Sequence, residues 1–169
     1  GGLNSLPGTS TSLASSNLKL DGGIFYATYV VDKDLGDGPG QVQIIGGTSG
    51  FVNTAVSGGA VSFVLDDGRE LVWGSTYFNP SVFVHSTVGD QTLNLGNGFD
   101  LTGSTRTILV GDAIYNANAT GGRSQLGGVI RTSSGTAGIT KTGVGNLLLT
   151  GANTFNGAVT VSAGTLNFD

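Results

Sequence analysis

Residues 138–169, GITKTGVGNLLLTGANTFNGAVTVSAGTLNFD, constrain the fold more than any other stretch of this chain. Short runs of apolar and β-branched residues at 147–150, 158–161 and 165–168 read as strands. Between them stand Gly151-Ala152-Asn153, Asn156-Gly157 and Ala163-Gly164, residue types that accept tight or left-handed backbone. No helical periodicity separates the runs, which argues against βαβ units. A unit of this size cannot bury its apolar side alone and needs a copy stacked on either side.

The rest of the chain is of the same kind. Glycine supplies 31 of 169 residues and charged side chains only 11%, while 38% of residues are apolar and the mean hydropathy is +0.17. Disorder requires low hydrophobicity and high charge, so the glycines belong to strands and turns. The class is all-β. Cysteine is absent, which excludes a disulfide scaffold and thiolate chemistry. Methionine is absent too and the chain opens on Gly1-Gly2, which reads as a segment excised from a longer polypeptide. No apolar run approaches the length of a membrane span, so direct membrane insertion by this segment is not expected. A net charge of −4 and a pI near 4.6 oppose sequence-blind nucleic-acid binding, which needs a basic surface.

Along the chain, residues 1–16 form a loose Gly/Ser/Thr-rich opening, and Leu18 and Leu20 then alternate with Lys19. Residues 24–31 read as the strongest strand, covered on both faces, and 32–40 as a protruding acidic loop. Phe63, Trp73, Phe83 and Leu93 recur at intervals of ten, each inside a short β-like run. If one coil takes about twenty residues, Phe63 stacks over Phe83 and Trp73 over Leu93. Such columns are spaced by about 4.8 Å, and Leu148, Val159, Val161 and Leu166 extend the structural ladder through the last segment. A ten-residue rhythm also suits antiparallel hairpins in a β-sandwich, the alternative architecture. Contacts between residues about twenty apart favour coils, and contacts mirrored about each turn favour hairpins. Further strands are expected over 103–110 and 128–131, with Asn116, Asn118 and Asn153 at turn positions of positive φ. No linker interrupts the pattern, so 1–169 is read as one β-helical domain.

Few residues suggest chemistry. Asp32, Asp34 and Asp37 precede Gly38 in a loop whose carboxylates suit calcium. The spacing departs from the EF-hand by one residue, however, and Gln43 stands where the bidentate Glu belongs. A solvated acidic loop is the plainer reading, and no cofactor is expected. Asp66, Asp67 and Glu70 surround Arg69, and Asp67-Gly68 reads as a hairpin or coil turn. A polysaccharide-cleaving carboxylate pair there would need acids brought together from successive coils. His85 is the only histidine and has no triad or metal partner in the sequence, so it reads as a half-exposed strand residue. Trp73, Tyr77 and Phe78 could form a sugar platform, although aromatics inside strands more often fill a core.

The last segment resembles the autotransporter-associated β-strand repeat of large bacterial surface proteins, also called the passenger-associated transport repeat. The likeness rests on residues 139–145 (ITKTGVG), 147–155 (LLLTGANTF) and 159–166 (VTVSAGTL). Upstream, 15–23 (SSNLKLDGG), 71–75 (LVWGS) and 103–107 (GSTRT) resemble, in the same order, the spacer preceding that repeat in giant secreted proteins. The resemblance implies a right-handed parallel β-helix of roughly seven to eight coils, exposed outside the cell and without a reaction of its own. It also implies a structural stalk that presents distal domains and assists secretion, stacked between neighbouring repeats of its parent chain. An adhesin-like module contacting host or neighbouring-cell glycans or proteins is the alternative, and a polysaccharide-degrading β-helix enzyme the third.

Overall fold

The structure, a computed structural model, describes residues 16–27, 31–54, 61–88, 91–111 and 123–169. Seventeen short strands follow one another with no α-helix among the described residues. They are β1 (Leu18–Asp21), β2 (Ile24–Ala27), β3 (Val31–Lys33), β4 (Val42–Gly46), β5 (Thr48–Asn53) and β6 (Val61–Leu65). Next come β7 (Leu71–Val72), β8 (Val82–Thr87), β9 (Thr92–Leu95), β10 (Phe99–Asp100), β11 (Arg106–Leu109) and β12 (Arg123–Leu126). The series ends with β13 (Ile130–Arg131), β14 (Ile139–Thr142), β15 (Asn146–Leu149), β16 (Val159–Val161) and β17 (Thr165–Phe168).

Every pairing between these strands is parallel. One face of the stack is the six-stranded sheet β2-β5-β8-β11-β14-β16, and a second is β3-β6-β9-β12-β15-β17. A third is assembled from β1-β4 and β7-β10-β13. In chain order the strands visit third, first and second face in turn as far as β15, after which β16 and β17 return to the first and second faces, and each circuit lands on the previous one. This is a parallel β-helix with three strands per coil. An antiparallel sandwich is excluded, because its neighbours would be consecutive strands running in opposite directions.

Side-chain alternation puts one row inside. On the second face Val31, Phe63, Leu95, Leu126, Leu149 and Phe168 fall in a single register column. Val61, Leu93, Ser124, Leu147 and Leu166 form the column beside it. On the first face Phe25, Phe51 and His85 align, next to Ser49, Phe83, Ile108, Lys141 and Val161. Rings from all three faces meet inside: Phe51 and Phe63 lie 5.0 Å apart edge to face, Trp73 and Phe78 5.3 Å, and Phe78 and Phe83 5.4 Å. Each fully buried Phe or Leu contributes about 1.5–3 kcal/mol, so these columns carry the stability that short strands lack alone.

The ten-residue rhythm is real but steps between faces, not between coils. Phe63 lies on the second face, Trp73 just after β7 on the third, and Phe83 on the first. Leu93 returns to the second face, on the strand next to that of Phe63. With three strands per coil, ten residues carry the chain around one corner and about thirty close the ring. Phe63 therefore stacks on Val31 and Leu95 rather than on Phe83, and the expected Trp73–Leu93 column does not form. Trp73 instead meets the Phe83 ring edge-on at 6.2 Å, within the coil.

Coil length is uneven. Along the first face the partners are Ile24 and Gly50, Thr48 and Val82, Val82 and Thr107, Arg106 and Ile139, and Ile139 and Val159. Only the last step has the expected length of twenty; the others run from twenty-five to thirty-four, because the corners differ in length. Among the described residues the two longest faces hold six stacked strands rather than seven or eight, and at about 4.8 Å per layer these rise roughly 24 Å. Within the stretch expected as one strand, Ile24–Ala27 lies on the first face and Val31 on the second. Leu148 points outward in a column with Asn94, Gln125 and Asn167. Val159 and Val161 do stand over the inner residues Ile139 and Lys141, yet β16 is the last strand of its sheet and they stay 41% and 47% exposed.

Side-chain amides clip coil to coil at the corners. Asn97, fully buried, donates to the carbonyls of Leu65 and Arg69 at 2.6 Å each and accepts from the Leu65 N–H at 3.1 Å. Those contacts close the preceding coil's turn at Asp66–Gly68, where Asp67 (φ 53) and Gly68 (φ 76) are left-handed. Asn153, expected at positive φ, does not adopt it. Its side chain instead accepts from the Ile130 N–H at 2.8 Å. Asn116 and Asn118 lie outside the described residues. At Gly138 the coils approach so closely that a Cβ would collide with the Ala158 carbonyl. Replacing Asn97 by Ala strands buried donors and acceptors at about 1–3 kcal/mol each. We expect Asn97→Ala to cost about 3 kcal/mol and to lower the melting midpoint by roughly 6–12 °C, measured by calorimetry; a loss below about 1 kcal/mol would remove Asn97 from the account.

Candidate functional site

The acidic loop is tied down rather than protruding. Asn17 Nδ2 donates to the carbonyls of Gly36, Gly38 and Gln41 at 2.7, 3.1 and 2.8 Å, and its Oδ1 accepts from Gln43 at 2.6 Å. Asp32, Asp34 and Asp37 are all exposed, with Asp32 on β3 facing Val64 of β6. Asp37 accepts from the Tyr77 hydroxyl, and its charge holds that phenol above its ordinary pKa. Among the described residues no group of three acidic or imidazole side chains is arranged to hold a metal ion.

The acids at 66–70 separate into two sets. Asp66 and Asp67 lie 3.6 and 3.7 Å from the exposed Arg69 guanidinium, surface pairs that contribute little. Glu70 turns the other way and grips Arg131, two coils along, at 2.6 and 2.5 Å. Arg131 also reaches Asp100 at 3.3 Å, so three successive strands of the third face share one ion-pair network. Asp100 is 4% exposed. Burial alone would raise its pKa, but the Ser133 hydroxyl, the N–H groups of Thr102 and Ser133 and the Arg131 charge outweigh it and hold the carboxyl below its ordinary value. The two backbone donors stand at 2.9 Å. This arrangement bonds coils to one another and leaves no carboxylate pair facing an open cleft. Asp100 and Arg131 escaped the sequence reading because each looks like a solvated charge beside a turn; only the three-strand coil brings them to Glu70.

His85 is fully buried, not half exposed. Its ring stacks on Phe83 at 5.9 Å and meets the Phe63 edge at 6.4 Å. Nδ1 lies 2.5 Å from the Ser124 hydroxyl across the interior, and Nε2 has no hydrogen-bond partner among the described residues. Burial pushes its pKa down to about 3, which keeps the imidazole neutral. Trp73 and Phe78 are likewise interior and cannot serve as a sugar platform. Trp73 Nε1 donates to the Pro80 carbonyl at 2.8 Å, and the Arg106 guanidinium lies 5.5 Å from the Trp73 ring centre.

The buried histidine makes a pH prediction. The unfolded chain binds a proton at His85 below about pH 6.5, whereas the folded chain does so only near 3. Stability from this group is therefore complete above pH 6.5 and falls as pH drops, by about 1.4 kcal/mol per unit. Urea unfolding between pH 4 and 7 is expected to show this slope in the wild type in excess of that in His85→Phe. Parallel slopes in the two proteins would contradict the buried neutral state.

Comparison with known proteins agrees with the coil. Residues 139–168 match the passenger-associated-transport-repeat family. A relative, the adhesin BmaC autotransporter of Brucella suis biovar 1 (strain 1330), is 34% identical over 136 residues, covering 72% of this chain. The chain spans only 4% of that protein's length. No solved structure matches the chain. Residues 139–168, which match that repeat family, supply β14 through β17, and the coils before them continue the same parallel stack.

Proposed function

We propose that this chain is a stalk segment of an autotransporter passenger at the bacterial surface, holding more distal domains away from the outer membrane. The observation that carries this reading is a parallel stack six strands deep on two faces, whose last strands match the transport-repeat family. Its partners are further coils of its own parent chain. In support, the inner residues Val159, Val161 and Phe168 are 41%, 47% and 59% exposed at the β16–β17 end, where another coil would cover them. Glu70 is engaged by Arg131 and His85 is sealed from solvent, which favours a non-catalytic role. No described helix is long and apolar enough to cross a membrane. Each coil that folds outside the cell would bury apolar columns irreversibly on that side, helping draw the chain outward.

The name of the Brucella relative favours a second reading, in which the segment itself touches a glycan or protein on another cell. A replacement experiment separates the two. In the full-length parent protein, this segment is exchanged for an unrelated β-helix of equal rise, and surface display of a distal epitope and adhesion to host cells are scored. A stalk predicts that display and adhesion both survive. Retained display with lost adhesion would overturn the stalk reading in favour of direct binding.

A further inference from the structure

Lys141 lies inside the coil. Along β14 the pattern runs Ile139 inward, Thr140 outward, Lys141 inward, Thr142 outward, and Lys141 has no exposed surface. Its column neighbours are Ile108 on one side and Val161 on the other, both aliphatic. No described carboxylate forms an ion pair with it, and burial alone brings its pKa down to about 8. The ammonium is held by backbone: Nζ donates to the Gly143 carbonyl of its own coil and, at 3.0 Å, to the Ala163 carbonyl of the next. These two carbonyls occupy the same corner, between first and second face, in successive coils. Gly164, which follows Ala163, is left-handed (φ 69), and a Cβ there would run into Lys141 Nζ and the carbonyls of Gly143 and Gly145.

A charge buried among aliphatic residues is a poor source of stability, since an apolar side chain of similar length usually does as well or better. It is a good source of specificity. Slipping β16 and β17 by two residues keeps every side chain on its proper face, so apolar alternation alone does not distinguish such registers. The carbonyl that reaches Lys141 does.

We propose that Lys141 is a register key between successive coils. It admits onto β14–β15 only a following coil whose corner presents an inward carbonyl just before a left-handed glycine, as Ala163-Gly164 does. It acts as a positioning residue, and the partner that it reads is a second transport-repeat coil rather than an arbitrary β-strand.

Amide hydrogen exchange of the whole chain tests this in wild type and Lys141→Met. The variant is expected to fold, with a melting midpoint within about 3 °C of wild type or above it. Protection of the Ser162, Thr165 and Asp169 amides, which bond to Lys141, Gly145 and Leu149, should nevertheless fall at least tenfold. Protection of Gly145 and Thr150, which bond to the preceding coil at Val110 and Leu126, should stay unchanged. Unaltered protection in the last coil would overturn the proposal. Independently of any variant, the wild-type Lys141 ammonium protons should exchange slowly and show cross-peaks to Gly143 and Ala163. Ordinary rapid exchange at that group would overturn it as well.

Discussion

The backbone hydrogen bonding of each coil to the next is the constraint on which everything else rests. Strands of two to six residues are too short to stand alone, and their N–H and C=O groups are satisfied only by the coil above and the coil below. That pairing is parallel and in register over six layers on two faces, and it sets the interval at which side chains repeat. Inward residues then have no choice but to stack in columns. The run from Val31 through Phe63, Leu95, Leu126 and Leu149 to Phe168 follows from the ladder, and the burial of that column in turn holds the ladder together.

Polar groups placed inside such a coil are costly, and several of them here span a gap between segments. Asn97 closes the turn of the coil before it, the His85–Ser124 contact joins first face to second, and Asp100 with Arg131 and Glu70 binds three strands of the third. None of them gathers around an accessible cavity. The amides, carboxylates and ammonium described above link neighbouring coils. That is consistent with the match of residues 139–168 to a repeat family.

Much of the architecture was legible in the sequence, and the portions that were not have a physical reason. The turn glycines and the alternation in 138–169 indicated short stacked strands, the resemblance to the transport repeat implied the parallel coil, and its final period of twenty is as expected. Upstream, the ten-residue rhythm of Phe63, Trp73, Phe83 and Leu93 marked the strand-to-strand step correctly. It did not say how many strands close a ring, because periodicity along a line carries no information about the number of corners. Corner loops of unequal length then concealed the true partners. The burial of His85 and Lys141 was hidden for a related reason: a polar residue in an alternating strand looks outward unless its register neighbours are known. The pairing of Glu70 with Arg131, sixty-one residues away, could not be found without the coil.

The central claim is the register of the stack, and one distance tests it directly. Ser62, Asn94, Gln125, Leu148 and Asn167 stand in a single outward column, one layer apart at each step. Spin labels at the exposed Ser62 and Asn167 positions should therefore report one narrow distance near 19 Å, four layers of about 4.8 Å, broadened by the label arms. A distance beyond about 30 Å, or a broad distribution without a peak near 19 Å, would contradict the parallel three-strand coil.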